Sequence, residues 1–151
     1  MPTLREELTT IHALLIGSPL YAHPEVQVVT QEYTRGQNAI RLINRERRTA
    51  LLILFFGRAI DSLLGFAVQR ISHTMMIPVP VHTDTIGSKI TFCRNNGLFV
   101  NPLTVDDLHL LVRERRNHYL HQAGEFPSES ELEMFLLASA IGIQEIISGL
   151  S

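Results

Sequence analysis

A long proline-free segment most constrains the fold of this chain. Residues 25–72 contain no proline and place apolar side chains at helical spacing almost throughout, interrupted only by Gly36 and the polar cluster 44–48. We therefore predict either two helices that meet near Asn44 or one long helix with a bend. Residues 50–56 are apolar on every side, a pattern typical of a helix enclosed all round by other helices.

The run ALLILFFGRAIDSLLGFAV, residues 50–68, is about long enough to cross a membrane. Arg58 and Asp61 lie near its centre, where unpaired charges are costly, and their spacing of one helical turn would let them pair. We predict a central core helix in which Arg58 and Asp61 form a structural ion pair, and no association with a membrane.

N-cap residues and helix-breaking prolines predict the bounds of the other helices. Residues 3–16 form a first helix with Thr3 as a possible N-cap. Residues 73–85 form a loop, because Pro78 and Pro80 remove backbone donors and disfavour helical geometry in the residues before them.

Three further helices are predicted after this loop. The first spans about 86–95 and ends before Gly97. The second is capped by Thr104 and runs to residue 121, and the third, over 128–148, opens with capping-box spacing. The predicted fold is all-α, a single domain of 151 residues built as a bundle of about five helices.

Composition narrows the function only slightly. The net charge of −2 gives no overall attraction to nucleic acid, yet twelve of the thirteen basic residues are arginine, which binds phosphate and carboxylate in bidentate fashion. The lone Cys93 excludes an intrachain disulfide and is most simply a buried small hydrophobe. Because no signal peptide is recognisable at the N-terminus, we expect a cytoplasmic location.

The stretch RRNHYLHQAGEFP, residues 115–127, concentrates groups that suit RNA chemistry. On a regular helix over 105–121, Arg113, Arg116, Asn117 and His121 fall on an arc apart from the core side, which carries Leu108, Val112 and Tyr119. A guanidinium can bind the scissile phosphate, and a histidine can transfer a proton at neutral pH. The competing interpretation is a basic helix end that interacts with the helix dipole.

Arg116-Asn117-His118-Tyr119-Leu120-His121 resembles the R-N-x-x-x-H motif of HEPN domains, an all-α family that includes metal-independent ribonucleases of toxin–antitoxin, abortive-infection and CRISPR-associated systems. The resemblance is best over residues 84–148. It implies that Arg116 binds phosphate, that Asn117 is the polar residue that follows it, and that His121 is the catalytic histidine. The residues after His121, QAGEFP, differ from the H-x-Y form of some toxin branches.

The resemblance further implies a homodimer in which two motifs face each other in a composite cleft. RNA is the expected substrate, an antitoxin or regulatory protein is a further possible partner, and no cofactor or metal is expected. Arg113, Arg115 and His118 match no fixed motif position, and we predict that they contact the substrate. His118 and His121 form an H-x-x-H pair, but no third zinc ligand lies close in the sequence.

Three alternatives stay open at this point. The chain is an endoribonuclease, a non-catalytic HEPN domain that binds a nucleotide, RNA or a protein partner through the same groove, or a plain helical-bundle interaction protein. The cluster Arg45, Arg47 and Arg48 fits either an RNA-tracking patch or a solvated helix junction. His109 is expected to pack or cap rather than react.

Overall fold

The structure of the chain, a computed structural model, describes residues 3–114, 118 and 126–150, and for residues 111–113 it describes the backbone only. The helices are α1 Leu4–Gly17, a 3₁₀ turn at Pro19–Ala22, α2 Pro24–Ala39, α3 Arg45–Met75, α4 Ile86–Asn95, α5 Pro102–Asp107, which continues as a π-helical segment Leu108–Glu114, and α6 Glu129–Leu150. No strand occurs in these ranges. The predicted all-α class is confirmed.

Local side-chain caps set most of the helix starts. The Thr3 backbone N–H donates to the Glu6 carboxylate at 2.8 Å and the Thr3 hydroxyl accepts from the Glu6 N–H, which closes a capping box on α1. Asn44 Oδ1 accepts from the Arg47 N–H at 2.9 Å and opens α3. Residues 25–72 therefore form two helices that meet near Asn44 rather than one bent helix.

The long helix α3 lies at the centre of the bundle, where it packs against α2, α4 and α6. Phe56, Ile60, Leu63 and Leu64 are completely buried. By length and composition alone, α3 and α6 are both apolar enough to cross a membrane. In each helix, 56% of the most apolar 18-residue stretch is buried inside the bundle.

The prediction that α3 is enclosed on every side over residues 50–56 is wrong. Leu51, Leu54 and Phe55 are only partly buried and Ala50 is exposed. The described helices that flank α3 therefore cover one side of this stretch only in part.

The predicted Arg58–Asp61 pair does not form. Arg58 is exposed and its Nη2 lies 3.2 Å from Glu32 Oε1 on α2, whereas Asp61 Oδ1 accepts from Lys89 Nζ on α4 at 2.8 Å. Each side chain finds its partner on a neighbouring helix, α2 for Arg58 and α4 for Asp61.

The prediction that Thr104 is the N-cap of the helix leading into the motif is also wrong. The cap is Asn101, whose Oδ1 accepts from the Leu103 N–H at 3.0 Å, and Thr104 is buried inside the helix. The helix starts earlier because Pro102 stands at its first position, where the missing proline N–H leaves no helical hydrogen bond unmade.

Candidate functional site

The predicted motif lies mostly between the described parts of the chain. Arg115, Arg116, Asn117 and His121 lie outside the described residues, and so does the side chain of Arg113. His118 is described and exposed. The structure therefore defines the frame of the candidate site: the segment that ends at Glu114, and the chain from Phe126 onward.

The segment that leads into the motif is π-helical over Leu108–Glu114. The prediction of a regular α-helix from residue 105 to 121 is wrong over this part. In a π-helix the backbone bonds join residues five apart rather than four, so the direction that a regular α-helix assigns to Arg113 does not hold. π-Helical segments are rare in proteins, and many of those that do occur lie at functional sites.

Close packing against α6 holds the π-helical segment in place. Leu108 is completely buried. A Cβ atom on Gly142 of α6 would lie 2.8 Å from Leu108 Cδ2 and 3.3 Å from Ile60 Cδ1 of α3. Only a residue without a side chain permits this approach, so the start of the segment is fixed between α3 and α6.

Two arginines at the start of α3 contact the part of the chain that follows the motif in sequence. Arg48 Nη2 lies 2.6 Å from Glu129 Oε1, and Arg45 Nε lies 3.3 Å from the same oxygen. Arg45 Nη2 also donates to the Pro127 carbonyl at 3.3 Å. Two of the three arginines considered for an RNA-tracking patch thus contact the beginning of α6, and Arg47 is exposed.

A cleft of about 630 Å³ opens between the loop before α4, helix α4 and the π-helical segment. We call it the α4 cleft. Its lining includes the polar side chains of His82, Thr83, Thr91, Asn95, Asn96 and His109 together with Pro80 and Phe92. Within the described parts of the chain, no Asp, Glu, Lys or Arg lines it.

Sequence reasoning missed most of the α4 cleft. His109, predicted to pack or cap, is partly buried and also lines the cleft. His82 and Thr83 lie in a proline-containing loop, and Asn95 and Asn96 end a helix. These positions are ordinary for such residue types, so no sequence signal distinguishes them as parts of one surface.

Sequence reasoning also missed a buried carboxylate. Glu32 is 5% exposed, and its Oε1 lies 2.8 Å from Arg35 Nη1 and 3.2 Å from Arg58 Nη2. Glu32 shares the core-facing side of α2 with Val29 and Gly36, which is the only sequence sign of its burial. Both arginines are half exposed, so the cluster places positive charge at the surface between α2 and α3.

Three described groups have pKa values that burial shifts without a charged partner: Cys93, His12 and Tyr33, and the pKa of Tyr33 is raised. Burial raises the pKa of the Cys93 thiol to about 12, which confirms the prediction of a buried small hydrophobe and makes Cys93 a poor nucleophile. Burial lowers the pKa of His12 below its usual 6.5. Across the described ranges, no three His, Cys, Asp or Glu side chains are grouped to hold a metal ion, and His121 lies outside those ranges.

No family model, no curated protein and no solved structure matches this chain. The HEPN assignment, the RNA substrate and the dimer therefore stay predictions drawn from the motif.

Proposed function

We propose that this chain is a metal-independent HEPN endoribonuclease that cleaves RNA by attack of the 2′-hydroxyl. The observation that carries the proposal is the sequence Arg116-Asn117-x-x-x-His121 within an all-α chain. Two structural features support it: the π-helical segment that ends two positions before Arg116, and the ion-paired start of α6 at Glu129, eight positions after His121. We place the enzyme in the cytoplasm.

In this mechanism Arg116 binds the scissile phosphate and stabilises the charge that gathers on its oxygens. His121 removes the proton of the 2′-hydroxyl, the 2′-oxygen attacks phosphorus, and the bond from phosphorus to the 5′-oxygen breaks. His121 then gives the proton to the leaving 5′-oxygen. The products are a 2′,3′-cyclic phosphate and a 5′-hydroxyl, and Asn117 positions His121 or the substrate.

We further propose that the site is composite, with Arg116 of one copy acting beside His121 of a second copy. Arg113, Arg115 and His118 contact the RNA strand on either side of the cleaved bond. An antitoxin or regulatory protein that covered this surface would inhibit the enzyme.

The test is cleavage of RNA by purified protein in EDTA. We expect activity that persists with the chelator and falls by about a hundredfold or more in Arg116→Ala and in His121→Ala. The matched controls are Arg41→Ala and His73→Ala, which remove an exposed arginine and an exposed histidine elsewhere. Activity that EDTA abolishes, or that survives both motif substitutions, rejects the mechanism.

The second function from the sequence, a non-catalytic HEPN domain, is the outcome of the same experiment when no RNA is cleaved. Salt-sensitive RNA binding that Arg116→Ala abolishes would then identify the motif as a binding surface only.

A further inference from the structure

We propose that Arg35 and Arg58, both oriented by the buried Glu32, form a phosphate-binding site on the surface between α2 and α3. We call these two residues the arginine pair. The ligand is a phosphate group, carried either by the backbone of a single-stranded RNA or by a small phosphorylated molecule. The inference does not depend on the proposed cleavage mechanism, because the residues that carry it are all described and none belongs to the motif.

One carboxylate oxygen orients both guanidinium groups. Arg35 Nη1 lies 2.8 Å from Glu32 Oε1, and Arg58 Nη2 lies 3.2 Å from the same oxygen. The two nitrogens therefore cannot lie farther apart than the sum of these two distances. A phosphate accepts hydrogen bonds at about 2.8 Å on oxygens that point in different directions. One phosphate group can therefore bridge two guanidinium groups that are this close.

The negative charge of the cluster lies inside and the positive charges lie outside. Glu32 is buried, whereas the side chains of Arg35 and Arg58 are 56% and 53% exposed. Two guanidinium groups against one carboxylate leave one positive charge uncompensated. Asp61, the next acidic residue along α3, is paired with Lys89 at 2.8 Å and does not cancel it. An anion that approaches from solvent therefore meets the guanidinium groups first.

Most of the hydrogen-bonding capacity of the arginine pair is unused. A guanidinium carries several N–H donors in a planar fork. In the parts of the chain that the structure describes, Glu32 is the only hydrogen-bonding or ion-pairing partner of either side chain. By contrast, Arg45 and Arg48 share the carboxylate of Glu129, which is itself largely exposed. The arginine pair thus keeps donors for a ligand.

A purely structural role does not explain the cluster. Glu32 Oε2 is buried and has no hydrogen-bond partner among the described residues. Burying a carboxylate is costly, and an unsatisfied oxygen adds to that cost. Arg58 alone would neutralise Glu32 and join α3 to α2. A second arginine, with a buried carboxylate that orients both, is the arrangement expected where the guanidinium groups are positioned in advance for a ligand.

Two guanidinium groups on one acceptor favour phosphate over a carboxylate ligand. A carboxylate is planar and pairs well with the two parallel N–H groups of a single arginine. A phosphate is tetrahedral, so its oxygens can accept from two arginines that approach from different directions. Arginine is also weakly hydrated compared with lysine, which lowers the cost of bringing it against a phosphate.

The test is titration of the full chain with inorganic phosphate, followed by NMR at the arginine side-chain N–H signals. We expect the Arg35 and Arg58 signals to shift with phosphate and not with chloride at equal ionic strength. Arg35→Gln and Arg58→Gln should each weaken binding roughly tenfold, read at the arginine that remains, because each removes a hydrogen bond to a charged group. Arg5→Gln is the matched control, since it removes an exposed arginine from α1.

Two further titrations distinguish the sources of the phosphate group. A single-stranded RNA with methylated 2′-hydroxyls cannot be cleaved by 2′-attack, and such a strand should displace inorganic phosphate if the backbone is the ligand. Each glutamine variant should then reduce the slope of log affinity against log salt by roughly 0.7. Displacement by adenosine 5′-monophosphate but not by RNA identifies a small phosphorylated ligand.

Four outcomes overturn the proposal. The signals of the arginine pair do not respond to phosphate, neither RNA nor adenosine 5′-monophosphate displaces it, Arg5→Gln weakens binding as much as Arg58→Gln, or Arg58→Lys binds as tightly as the wild type. The last outcome would show attraction by charge alone, because lysine keeps the charge and loses the planar fork.

Two controls keep these outcomes interpretable. Each glutamine variant leaves Glu32 paired with the other arginine, so the variants should remain folded, which unfolding in urea measures. Phosphate binding at the arginine pair should persist in Arg116→Ala. This site and the cleavage mechanism can therefore fail separately.

Discussion

Tyr33 joins three helices through one side chain. Its hydroxyl donates to the Leu8 carbonyl of α1 at 2.7 Å, and its ring meets the Phe56 ring of α3 edge-on at a centroid distance of 5.0 Å. The His12 ring of α1 stacks on Tyr33 at 5.8 Å. Gly36, one turn along α2, lets the Phe56 ring approach the α2 backbone. Small changes at these residues should therefore affect the stability of the whole bundle.

Gly36→Ala should destabilise the protein. The added Cβ would lie 2.5 Å from Phe56 Cε2, and the ring is completely buried and cannot easily move. Overpacking of this kind costs about 1–3 kcal/mol, which exceeds the gain of up to about 1 kcal/mol in helix propensity. The measurement is the free energy of unfolding in urea.

Gly17→Ala is the control for this substitution. It also places a methyl group on a helical glycine, but the new Cβ meets nothing within 4 Å. We expect Gly17→Ala to be neutral or slightly stabilising. Equal unfolding free energies for the two variants would show that Phe56 does not restrict residue 36.

Stability should fall as the pH drops below about 6.5, in part because of His12. Burial lowers the pKa of His12 in the folded protein, so the unfolded chain takes up a proton there at a higher pH than the folded chain does. The free energy of unfolding between pH 7.5 and 5 should decrease less in His12→Gln than in the wild type. His73→Gln, at an exposed position, should retain the full decrease.

At the scale of elements, the motif lies between two fixed helix ends. The π-helical segment before it is held by Leu108 against α3 and α6. The start of α6 after it is held by Arg45 and Arg48 through Glu129. Both attachments join parts of the chain that are far apart in sequence.

Glu129→Gln should therefore affect activity more than stability. Glu129 is 61% exposed, and exposed ion pairs contribute at most about 1 kcal/mol to stability. Small displacements of catalytic groups can reduce turnover by about tenfold or more. We expect a clear loss of RNA cleavage with little change in the unfolding free energy. The control is Glu133→Gln, an exposed glutamate one turn further along α6. Equal cleavage rates in the two variants would contradict this role.

At the scale of the molecule, the described parts of the chain leave apolar surface uncovered. On α3, Leu51, Leu54 and Phe55 are only partly buried. Leu103 and Leu110, on the helix that leads into the motif, are more than half exposed. Exposed apolar surface of this kind is typical of proteins that associate, which agrees with the dimer required by the proposed composite site.

Mixing two inactive variants should restore activity if the site is composite. Arg116→Ala keeps His121 and His121→Ala keeps Arg116, so a mixed dimer holds one complete pair across the interface. Each variant alone should cleave RNA at a background rate, and the mixture should cleave well above it after subunit exchange. A mixture as inactive as its components, or a monomer in sedimentation velocity, would reject the composite site.

The sequence by itself determined most of the helix starts, because a helix start depends on residues a few positions apart. Thr3, Asn44, Thr85 and Ser128 each accept a hydrogen bond from a backbone N–H three residues later. The apolar periodicity between these caps gave the all-α class. The motif at Arg116 to His121 was likewise readable from six consecutive residues.

Only the tertiary structure decided which side chains meet across helices. Asp61 pairs with Lys89, 28 positions away, rather than with a residue on the next turn of its own helix. Arg45 likewise contacts Pro127, 82 positions away. The sequence did not predict the π-helical segment, because Leu108, Leu111 and Val112 have the spacing of an ordinary α-helix. The α4 cleft draws its residues from a loop, a helix and that segment. Such contacts depend on how helices pack, and helical periodicity shows which face is buried but not what covers it.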